Sequence, residues 1–286
     1  MGRVGWRPNP GTISITKLLD TYSGAAAAYS LRKLRTAYAG NAIRVRRSSD
    51  NTSQDIGFKA DGTLDTTALL SFVGVGNGFV SIWYDQSGNG KNAIQNTLVN
   101  QPMIVNNGSV ILLNNKPSIQ WNGGNNNLQA FSITTTLSGL TTMGIITVVK
   151  PNSQTLQFGK YSHIHFQELG SWGSVYQAAN PNTVTYRFGT SESYNTPTYV
   201  MPVNNIIFST YKNGTSEIAR VNGTDVITST RPIATIQNTN NILKMGLAEY
   251  DTYFGGLMNE VIIYTTNKMS DRASIESNIN SFYSIY

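Results

Sequence analysis

What the sequence lacks already narrows its interpretation. Its 286 residues include no cysteine, and only 13% of them are charged. Without thiols the chain has no disulfides, no thiolate metal site and no cysteine nucleophile. No run approaches 18 consecutive apolar residues, so no membrane-spanning helix is expected, and the opening stretch MGRVGWRPNPGTISI contains no apolar core of a secretory signal. These absences indicate a globular chain that is held together by its hydrophobic core.

Positive charge exceeds negative charge, with a net charge of +6 and a pI of about 9.4. Nucleic-acid binding requires clustered cations, and the dense cluster at residues 31–47 (LRKLRTAYAGNAIRVRR) holds six of the 21 basic residues. Two interpretations are open: a solvated helix face followed by a strand edge, or a track for phosphates. No RNA-binding signature or helix-turn-helix pattern accompanies the cluster. The first interpretation is therefore favoured, and no nucleic-acid partner is expected.

Residues after Gln101 alternate between short strand-like runs and turn residues, with no strand–helix–strand rhythm. The clearest local signal is the stretch YKNGTSEIARVNGTDVI, in which Asn213-Gly214 and Asn222-Gly223 bracket a run of strand length. Asn-Gly suits the type I′ hairpin turn because both central residues need positive φ. Many regularly spaced strands predict an all-β sandwich or jelly roll.

Three helices are predicted within this β framework. The first is capped by Ser23 and ends at Gly40, and a second, short helix is capped by Asp65. The third is C-terminal and is capped by Ser270. Apolar residues at helical spacing support the first and third helices: Ala27, Leu31, Leu34 and Tyr38 in the first, and Ile275, Ile279, Phe282 and Tyr286 in the third.

The chain divides into an N-terminal arm and one domain. Residues 1–16 contain Pro8, Pro10 and Gly11, and the two prolines restrict the backbone and remove hydrogen-bond donors. This segment is interpreted as an arm that could serve as an anchor. Residues 17–286 show no internal repeat and no linker, so they are predicted to form a single β-sandwich.

Two parts of the sequence resemble known families. Four C-terminal segments resemble the concanavalin A-like, laminin-G-type jelly roll: KPSIQWNGGNNNLQ, MGIITVVKP, YKNGTSEIARVNGT and GGLMNEVIIYTTNKMSDRASIESNINSFYSIY. Residues 19–95 are similar to the start of the α-L-arabinofuranosidase B catalytic domain, in the order TYSGAAAAYSLRKLR, IRVRRSSDNTSQDIGF and WYDQSGNGKNAIQ. This three-part order also resembles proteins of phage and prophage particles. The resemblance implies a sandwich of sugar-hydrolysing ancestry, which does not by itself imply activity.

A retaining glycosidase needs two carboxyl groups about 5–5.5 Å apart. The resemblance implies a glutamate nucleophile on a mid-domain strand, but the matching strand TVTYRFG carries no acid, and Glu192 lies beyond it. It implies a general acid near KMGLAEYDTYFGG, where Glu249 or Asp251 is the fallback candidate. The vicinal cysteine pair of the family's sugar pocket is absent. These departures predict a protein that is not an enzyme.

The stretch WYDQSGNGKNAIQ is a second candidate site, because a strand ends there in an aspartate followed by two glycines. One interpretation is structural: Asp85 and Ser87 bond nearby backbone amides, and the glycines adopt positive φ. In the other, Asp85, Gln86 and Asn89 converge on a sugar hydroxyl or on Ca²⁺. A hard cation takes about six to eight oxygens, and this loop offers about three. The structural interpretation is favoured, and no cofactor is expected.

Histidine and tryptophan supply the remaining candidates. His163 and His165 are the only histidines, and on a strand they face the same side, as in half of a two-histidine metal site. No third ligand follows at a characteristic spacing, so they are weak metal candidates. Trp172 in LGSWGSVY is the candidate for stacking on a carbohydrate, with a core or interface tryptophan as the open alternative.

These observations predict a phage virion structural protein: a capsid or tail decoration protein, or a tail fibre, with a non-catalytic, glycan-binding jelly roll on the particle surface. Trp6 and Arg7 in the arm would anchor it to other virion proteins. Further copies of the chain and a cell-surface glycan are the other expected partners. The alternatives are an α-L-arabinofuranosidase-type glycoside hydrolase and a soluble lectin.

Overall fold

The computed structural model describes residues 16–124, 131–134, 139–151, 161–166, 173–177, 184–188, 194–196, 204–230, 235, 242–246 and 253–286. The four strands between residues 161 and 196 are described through their backbone pairing. In these ranges, no helix has the length and apolar character needed to cross a membrane.

The described elements are mostly strands. The helices are α1 (Leu18–Thr21), α2 (Thr66–Val73) and α3 (Arg272–Tyr283), with a 3-10 turn at Leu98–Asn100. The strands in chain order are β1 (Ala25–Ser30), β2 (Ile43–Arg47), β3 (Ser53–Ile56), β4 (Gly78–Trp83), β5 (Ala93–Ile94), β6 (Met103–Asn106), β7 (Ser109–Val110), β8 (Leu112–Leu113), β9 (Lys116–Pro117), β10 (Ile119–Gly124), β11 (Phe131–Thr134), β12 (Thr142–Pro151), β13 (Tyr161–Phe166), β14 (Gly173–Gln177), β15 (Val184–Phe188), β16 (Tyr194–Thr196), β17 (Ile206–Asn213), β18 (Ser216–Val221), β19 (Thr224–Thr230), β20 (Ile242–Met245) and β21 (Tyr253–Tyr264).

The strands form two antiparallel layers, called here the first and the second sheet. β6 joins the layers by pairing with β4 and with β10, and β8 and β9 form a separate two-stranded pair. In the first sheet the order is β19, β18, β17, β12 and β21, and the far edge of β21 pairs with β10 over its first half and with β1 over its second half. The second sheet runs from β3 through β2, β4, β5, β11, β20, β13, β14 and β15 to β16. The predicted all-β sandwich is confirmed.

The first sheet is the middle layer of three. Ile145 of β12 belongs to the hydrophobic cluster between the two sheets, whereas the next residue, Ile146, belongs to a second cluster beneath α1 and α3. In β21, Val261 and Ile262 divide between the two clusters in the same way. Because successive side chains of a strand point to opposite faces, both faces of this sheet are buried. This explains the nearly unbroken apolar run MGIITVV.

Several local signals in the sequence are confirmed. α2 begins after Asp65, whose carboxylate accepts a hydrogen bond from the Ala68 amide at 3.0 Å. The turn Asn222-Gly223 joins β18 and β19 with both φ angles positive (48° and 80°), as type I′ requires. At the other turn Gly214 has a φ of 58°, and Asn213 is the last residue of β17, so the reversal lies one residue later than predicted.

The helix predicted from Ser23 to Gly40 is wrong. All six residues of Ala25–Ser30 are buried in strand β1, which pairs with β21 up to the partners Ser30 and Glu260. The short N-terminal helix of the predicted fold is α1 instead. Alanine is a good helix former, but its small side chain also fits a strand buried on both faces. Pairing with β21 overrides the local preference.

The C-terminal helix is confirmed, with changes at both ends. Its N-cap is Asp271, one residue later than predicted, and the side chain makes no capping hydrogen bond. Ile275 and Ile279 are buried as predicted, but Tyr283 completes the buried face. Tyr286 lies beyond the helix and is 55% exposed. With 3.6 residues per turn, Tyr283 rather than Tyr286 follows Ile279 on one helix face.

Candidate functional site

The loop after β4 holds the first candidate ligand residue, and the structure places it against β1. Asp85 is only 4% exposed. Its Oδ1 accepts hydrogen bonds from the amides of Ala28 (2.9 Å) and Ser87 (2.8 Å). Its Oδ2 accepts from the Ser87 hydroxyl (2.7 Å) and the Lys91 amide (3.0 Å). Both carboxylate oxygens are therefore engaged by the protein itself.

Gln86 extends the same set of contacts. It is fully buried, and its Oε1 accepts a hydrogen bond from the Leu34 amide at 2.8 Å. Its Nε2 donates to the carbonyl oxygens of Ser30 (2.9 Å) and Arg32 (3.0 Å), and its backbone amide donates to the Ala28 carbonyl at 2.7 Å. Since β21 occupies one edge of β1, this loop takes the place of a neighbouring strand at the other edge.

Asn89 and Gly88 complete the loop. Asn89 Nδ2 donates to the carbonyl oxygens of Ala25 (3.0 Å) and Ala26 (3.1 Å). Gly88 has a φ of 96°, and a Cβ there would lie 2.8 Å from the Arg35 guanidinium. These contacts support the structural interpretation of the loop. Binding of a sugar or Ca²⁺ by Asp85, Gln86 and Asn89 stays a prediction.

The basic cluster at residues 31–47 makes internal contacts and is not a solvated helix face. Arg32 is buried and forms a bidentate ion pair with Glu260, at 2.8 and 3.0 Å. Arg44 on β2 pairs with Asp55 in the same way, at 2.8 and 2.9 Å. The carboxylates of the fold thus neutralise both guanidinium groups. Neither guanidinium is free to hold a phosphate.

The acidic residues divide into two groups. The chain has 15 aspartates and glutamates, and four of them, Glu168, Glu192, Glu249 and Asp251, lie outside the described residues. Each of the other eleven accepts a hydrogen bond or forms an ion pair within the fold. Their partners are Thr36 for Asp20, Arg47 for Asp50, Arg44 for Asp55, Thr63 for Asp61, the Ala68 amide for Asp65, the loop amides for Asp85, Lys212 for Glu217, Arg220 for Asp225 and Glu276, Arg32 for Glu260, and Lys268 for Asp271.

An open depression of about 360 Å³ lies at the end of the first sheet, where β10, β12 and β21 meet. Gln120, Trp121, Lys150 and Gly256 contribute to its walls. Gly256 has a φ of 141°, and a Cβ there would lie 2.2 Å from the Lys150 carbonyl oxygen. Glycine is therefore what lets β12 approach β21 so closely. The buried indole Nε1 of Trp121 has no hydrogen-bond partner in the part of the chain that the structure describes.

The connection from β20 to β21 enters β21 shortly before Gly256, which lines this depression. The Phe254 amide donates to the Gly246 carbonyl at 2.8 Å, so the two ends of the connection are held together. Glu249 lies three residues after Gly246, and Asp251 lies three residues before Phe254. Three extended residues span about 10 Å. Both acids are outside the described residues, but their attachment points lie at the end of the sheet that carries the depression.

The two histidines lie on β13, whose backbone pairs with β14 and β20. His165 is opposite Lys244 of β20. Burial lowers the pKa of Lys244, whose Nζ donates to the Ser132 hydroxyl at 2.7 Å. Nothing in the sequence singled out Lys244 as a neighbour of the histidines, because a single lysine in a strand forms no motif. Within the described ranges no group of three metal-ligating side chains occurs, and a site at His163 and His165 stays a prediction.

Three further candidates lie outside the described part of the chain. Trp172, the candidate for carbohydrate stacking, precedes β14, and Trp6 and Arg7 belong to the N-terminal arm. Their contacts with a glycan and with partner proteins stay predictions.

Comparisons with known proteins find similarity to arabinofuranosidases in part of the sequence and in the fold. The family model of the α-L-arabinofuranosidase B catalytic domain matches residues 20–146. No curated protein matches the chain in sequence. Among solved structures, a GH54 α-L-arabinofuranosidase soaked with a cyclic sulfate inhibitor has a TM-score of 0.71. A glutamate-to-glutamine mutant of such an enzyme soaked with 4-nitrophenyl α-L-arabinofuranoside scores 0.70, and an arabinofuranosidase complexed with arabinofuranosyl-α-1,2-xylobiose scores 0.66.

All three alignments have 15% identity and cover 92% of this chain. The chain spans 64% of the length of these enzymes. At this identity the likeness establishes the β-sandwich fold. The family model adds similarity in sequence over residues 20–146.

The predicted function, a non-catalytic phage virion decoration or tail fibre protein, is contradicted by these comparisons. The family model and all three structures belong to arabinofuranosidases, which supports the alternative reading instead. The prediction that the chain is not an enzyme is wrong on the same grounds. That prediction took the lack of an acid in one strand as the lack of a nucleophile, although a carboxylate can also be supplied by the segments that connect strands.

Proposed function

We propose that the protein is a glycoside hydrolase that releases α-L-arabinofuranosyl groups from glycans. The observation that carries the proposal is the match of the arabinofuranosidase B catalytic model to residues 20–146. A fold shared with arabinofuranosidases over 92% of the chain supports it.

The four acids outside the described residues are the proposed source of the catalytic pair. Cleavage of a glycosidic bond uses one carboxylic acid that protonates the leaving oxygen and one carboxylate that attacks the sugar or activates water. The eleven other carboxylates are engaged in bonds that support the fold. We assign the general acid to Glu249 or Asp251, and the second carboxyl group to Glu192 or Glu168.

The candidate acids follow strands that are neighbours in the second sheet, with Glu168 and Glu192 after strand ends on one side of this group and Glu249 after a strand end on the opposite side. Glu168 follows the end of β13 by two residues, Glu192 follows β15 by four, and Glu249 follows β20 by four. β20, β13, β14 and β15 are consecutive neighbours in the second sheet. An extended residue spans at most about 3.6 Å. The segment that joins each of these three acids to its strand is therefore at most about 14 Å long.

The test is release of 4-nitrophenol from 4-nitrophenyl α-L-arabinofuranoside by the purified protein. Four single variants, Glu249→Gln, Asp251→Asn, Glu192→Gln and Glu168→Gln, identify the pair. Removing the attacking carboxylate is expected to lower kcat at least about 100-fold on every substrate, because no other group replaces it. Removing the general acid costs less on this substrate than on an arabinan, because 4-nitrophenolate leaves with little need of a proton.

The matched control is Asp20→Asn, which changes an exposed carboxylate that is bonded to Thr36. It is expected to keep wild-type kcat. Absence of hydrolysis by the wild-type protein on both the aryl substrate and an arabinan would overturn the proposal. Hydrolysis that persists in all four variants would overturn the assignment of the acids.

A further inference from the structure

A second cavity lies among α2, the β7–β9 segment and the end of α3. Its volume is about 520 Å³, within the range of small-molecule sites, about 300–1,000 Å³. Among the described residues, the loop residues Asp85, Gln86 and Asn89 do not line it.

The interior of this cavity is apolar. Leu31 and Leu64 are buried, and Leu70, Val110 and the ring of Phe282 are half-buried around them. Such a surface favours a ligand with an apolar body, because water leaves both surfaces when they meet.

The rim of the cavity is cationic. Lys59 Nζ donates to the Thr66 hydroxyl at 3.3 Å, and Lys116 Nζ lies 4.4 Å from the centre of the Phe282 ring. Neither ammonium group forms an ion pair with a described carboxylate. Asp61, the acid nearest to Lys59 in sequence, accepts hydrogen bonds from Thr63 at 2.8 and 2.7 Å.

The other cation near the cavity is already neutralised. The Arg32 guanidinium lies 5.0 Å from the Phe282 ring centre, on the ring that Lys116 also contacts, and it is paired with Glu260. Two ammonium groups from separate elements therefore flank an apolar cavity without an ion pair to a described carboxylate, although Asp61 lies within the electrostatic reach of Lys59. A carboxylate placed between them would gain charge-assisted hydrogen bonds.

We propose that this cavity binds a small amphipathic carboxylate, with its apolar rings against Phe282 and the leucines and its carboxylate between Lys59 and Lys116. Binding at this cavity does not depend on the proposed hydrolysis. The probe is 2-naphthoate, which has two fused apolar rings and one negative charge. Its neutral isostere, 2-naphthamide, has the same shape without the charge.

Isothermal titration calorimetry of the purified protein with both compounds tests the proposal. Saturable binding of one naphthoate per chain is expected, with naphthamide bound about tenfold more weakly. The variant K59M/K116M is expected to lose about tenfold in naphthoate affinity, because each partly exposed ion contact accounts for about two- to fivefold. K59R/K116R keeps both charges and is expected to bind as the wild type does.

K268M is the matched control, because Lys268 is paired with Asp271 at the start of α3 and does not line the cavity. It is expected to bind naphthoate with wild-type affinity. Lack of saturation at millimolar naphthoate overturns the proposal. So does equal affinity for the amide, or equal affinity of K59M/K116M and wild type. Thermal unfolding of each variant shows that the fold is retained.

Discussion

The loop after β4 and the depression beside Gly256 differ in how their polar groups are used. In the loop, Asp85 and Gln86 together engage amides and carbonyls from residues 28 to 34, and both side chains are buried. At the depression, Lys150 is exposed, and the Trp121 Nε1 has no partner among the described residues. The more motif-like sequence therefore belongs to the region whose buried polar side chains are already bonded to the fold.

This difference bears on how a binding site is found. A carboxylate in a glycine-rich loop suggests a ligand, but a carboxylate that accepts four protein hydrogen bonds has few lone pairs left for one. A binding site needs polar groups that the fold leaves unsatisfied. Substitutions in both regions test this contrast.

Asp85→Ala is expected to lower the free energy of unfolding by about 4 kcal/mol, because the buried amide of Ala28 and the partly buried amides of Ser87 and Lys91 lose their acceptor. Urea unfolding of variant and wild type measures the difference. Asp20→Ala removes an exposed carboxylate and is expected to cost less than about 1 kcal/mol. If Asp85→Ala is as stable as the wild type, the loop does not support the fold, and a ligand role becomes the better account.

Gly256→Ala is expected to cost about 3 kcal/mol, because the added Cβ would collide with the Lys150 carbonyl and the residue has positive φ. Gly90→Ala is the matched control: its φ is 68°, and its Cβ would meet open space. It should cost only about 1 kcal/mol. Equal losses in the two variants, measured by urea unfolding, would show that the approach of β12 to β21 tolerates a side chain.

Asp55 is a carboxylate of the edge strand β3 that is bonded to the fold, as Asp85 is. Hydrogen bonds from Arg44 lower the pKa of Asp55 below its ordinary value of 3.8, and a bond from Tyr84 adds to this. Because the folded pKa lies below the unfolded one, the stabilisation is present above about pH 4 and is lost as the pH falls through the folded value.

Asp55→Asn is expected to be less stable than the wild type at pH 7, and the gap should narrow as the pH falls from about 4 to 2. Thermal unfolding of the two proteins across this range provides the measurement. A gap of constant size at every pH would mean that the ion pair with Arg44 contributes nothing to stability.

Lys150→Met is expected to change the free energy of unfolding by no more than about 0.5 kcal/mol, because the side chain is exposed and makes no described ion pair. Urea unfolding measures this change. A loss above about 1 kcal/mol would break the contrast, since the lysine at the depression would then serve the fold as Asp85 does.

The fold class could be predicted because it depends on short-range patterns. The Asn222-Gly223 turn, the Asp65 cap and the apolar face of Ile275 and Ile279 each involve residues close together in the chain. The segment Ala25–Ser30 was mispredicted because its six residues fit a helix or a buried strand equally well, and β21 is the partner that decides between them.

The candidate site was predictable only in part. The structural role of Asp85 was one of two interpretations of its loop, and the bonds to the Ala28 and Lys91 amides now support it. The function was mispredicted because one acid-free strand was given more weight than the resemblance over residues 19–95. No sequence motif indicated that Lys59 and Lys116 flank one cavity, because they lie 57 positions apart in the chain.

The sequence by itself determined that this is a β-sandwich, that Asn222-Gly223 forms a hairpin turn, and that the last helix has an apolar face, since periodicity and turn chemistry are properties of neighbouring residues. The tertiary structure alone decided that the alanine run is a strand, that Asp85 holds an amide 57 residues away, and that Arg32 is neutralised by a glutamate 228 residues away. Each of these depends on a bond between distant parts of the chain, and local pattern carries no information about which distant group will be there.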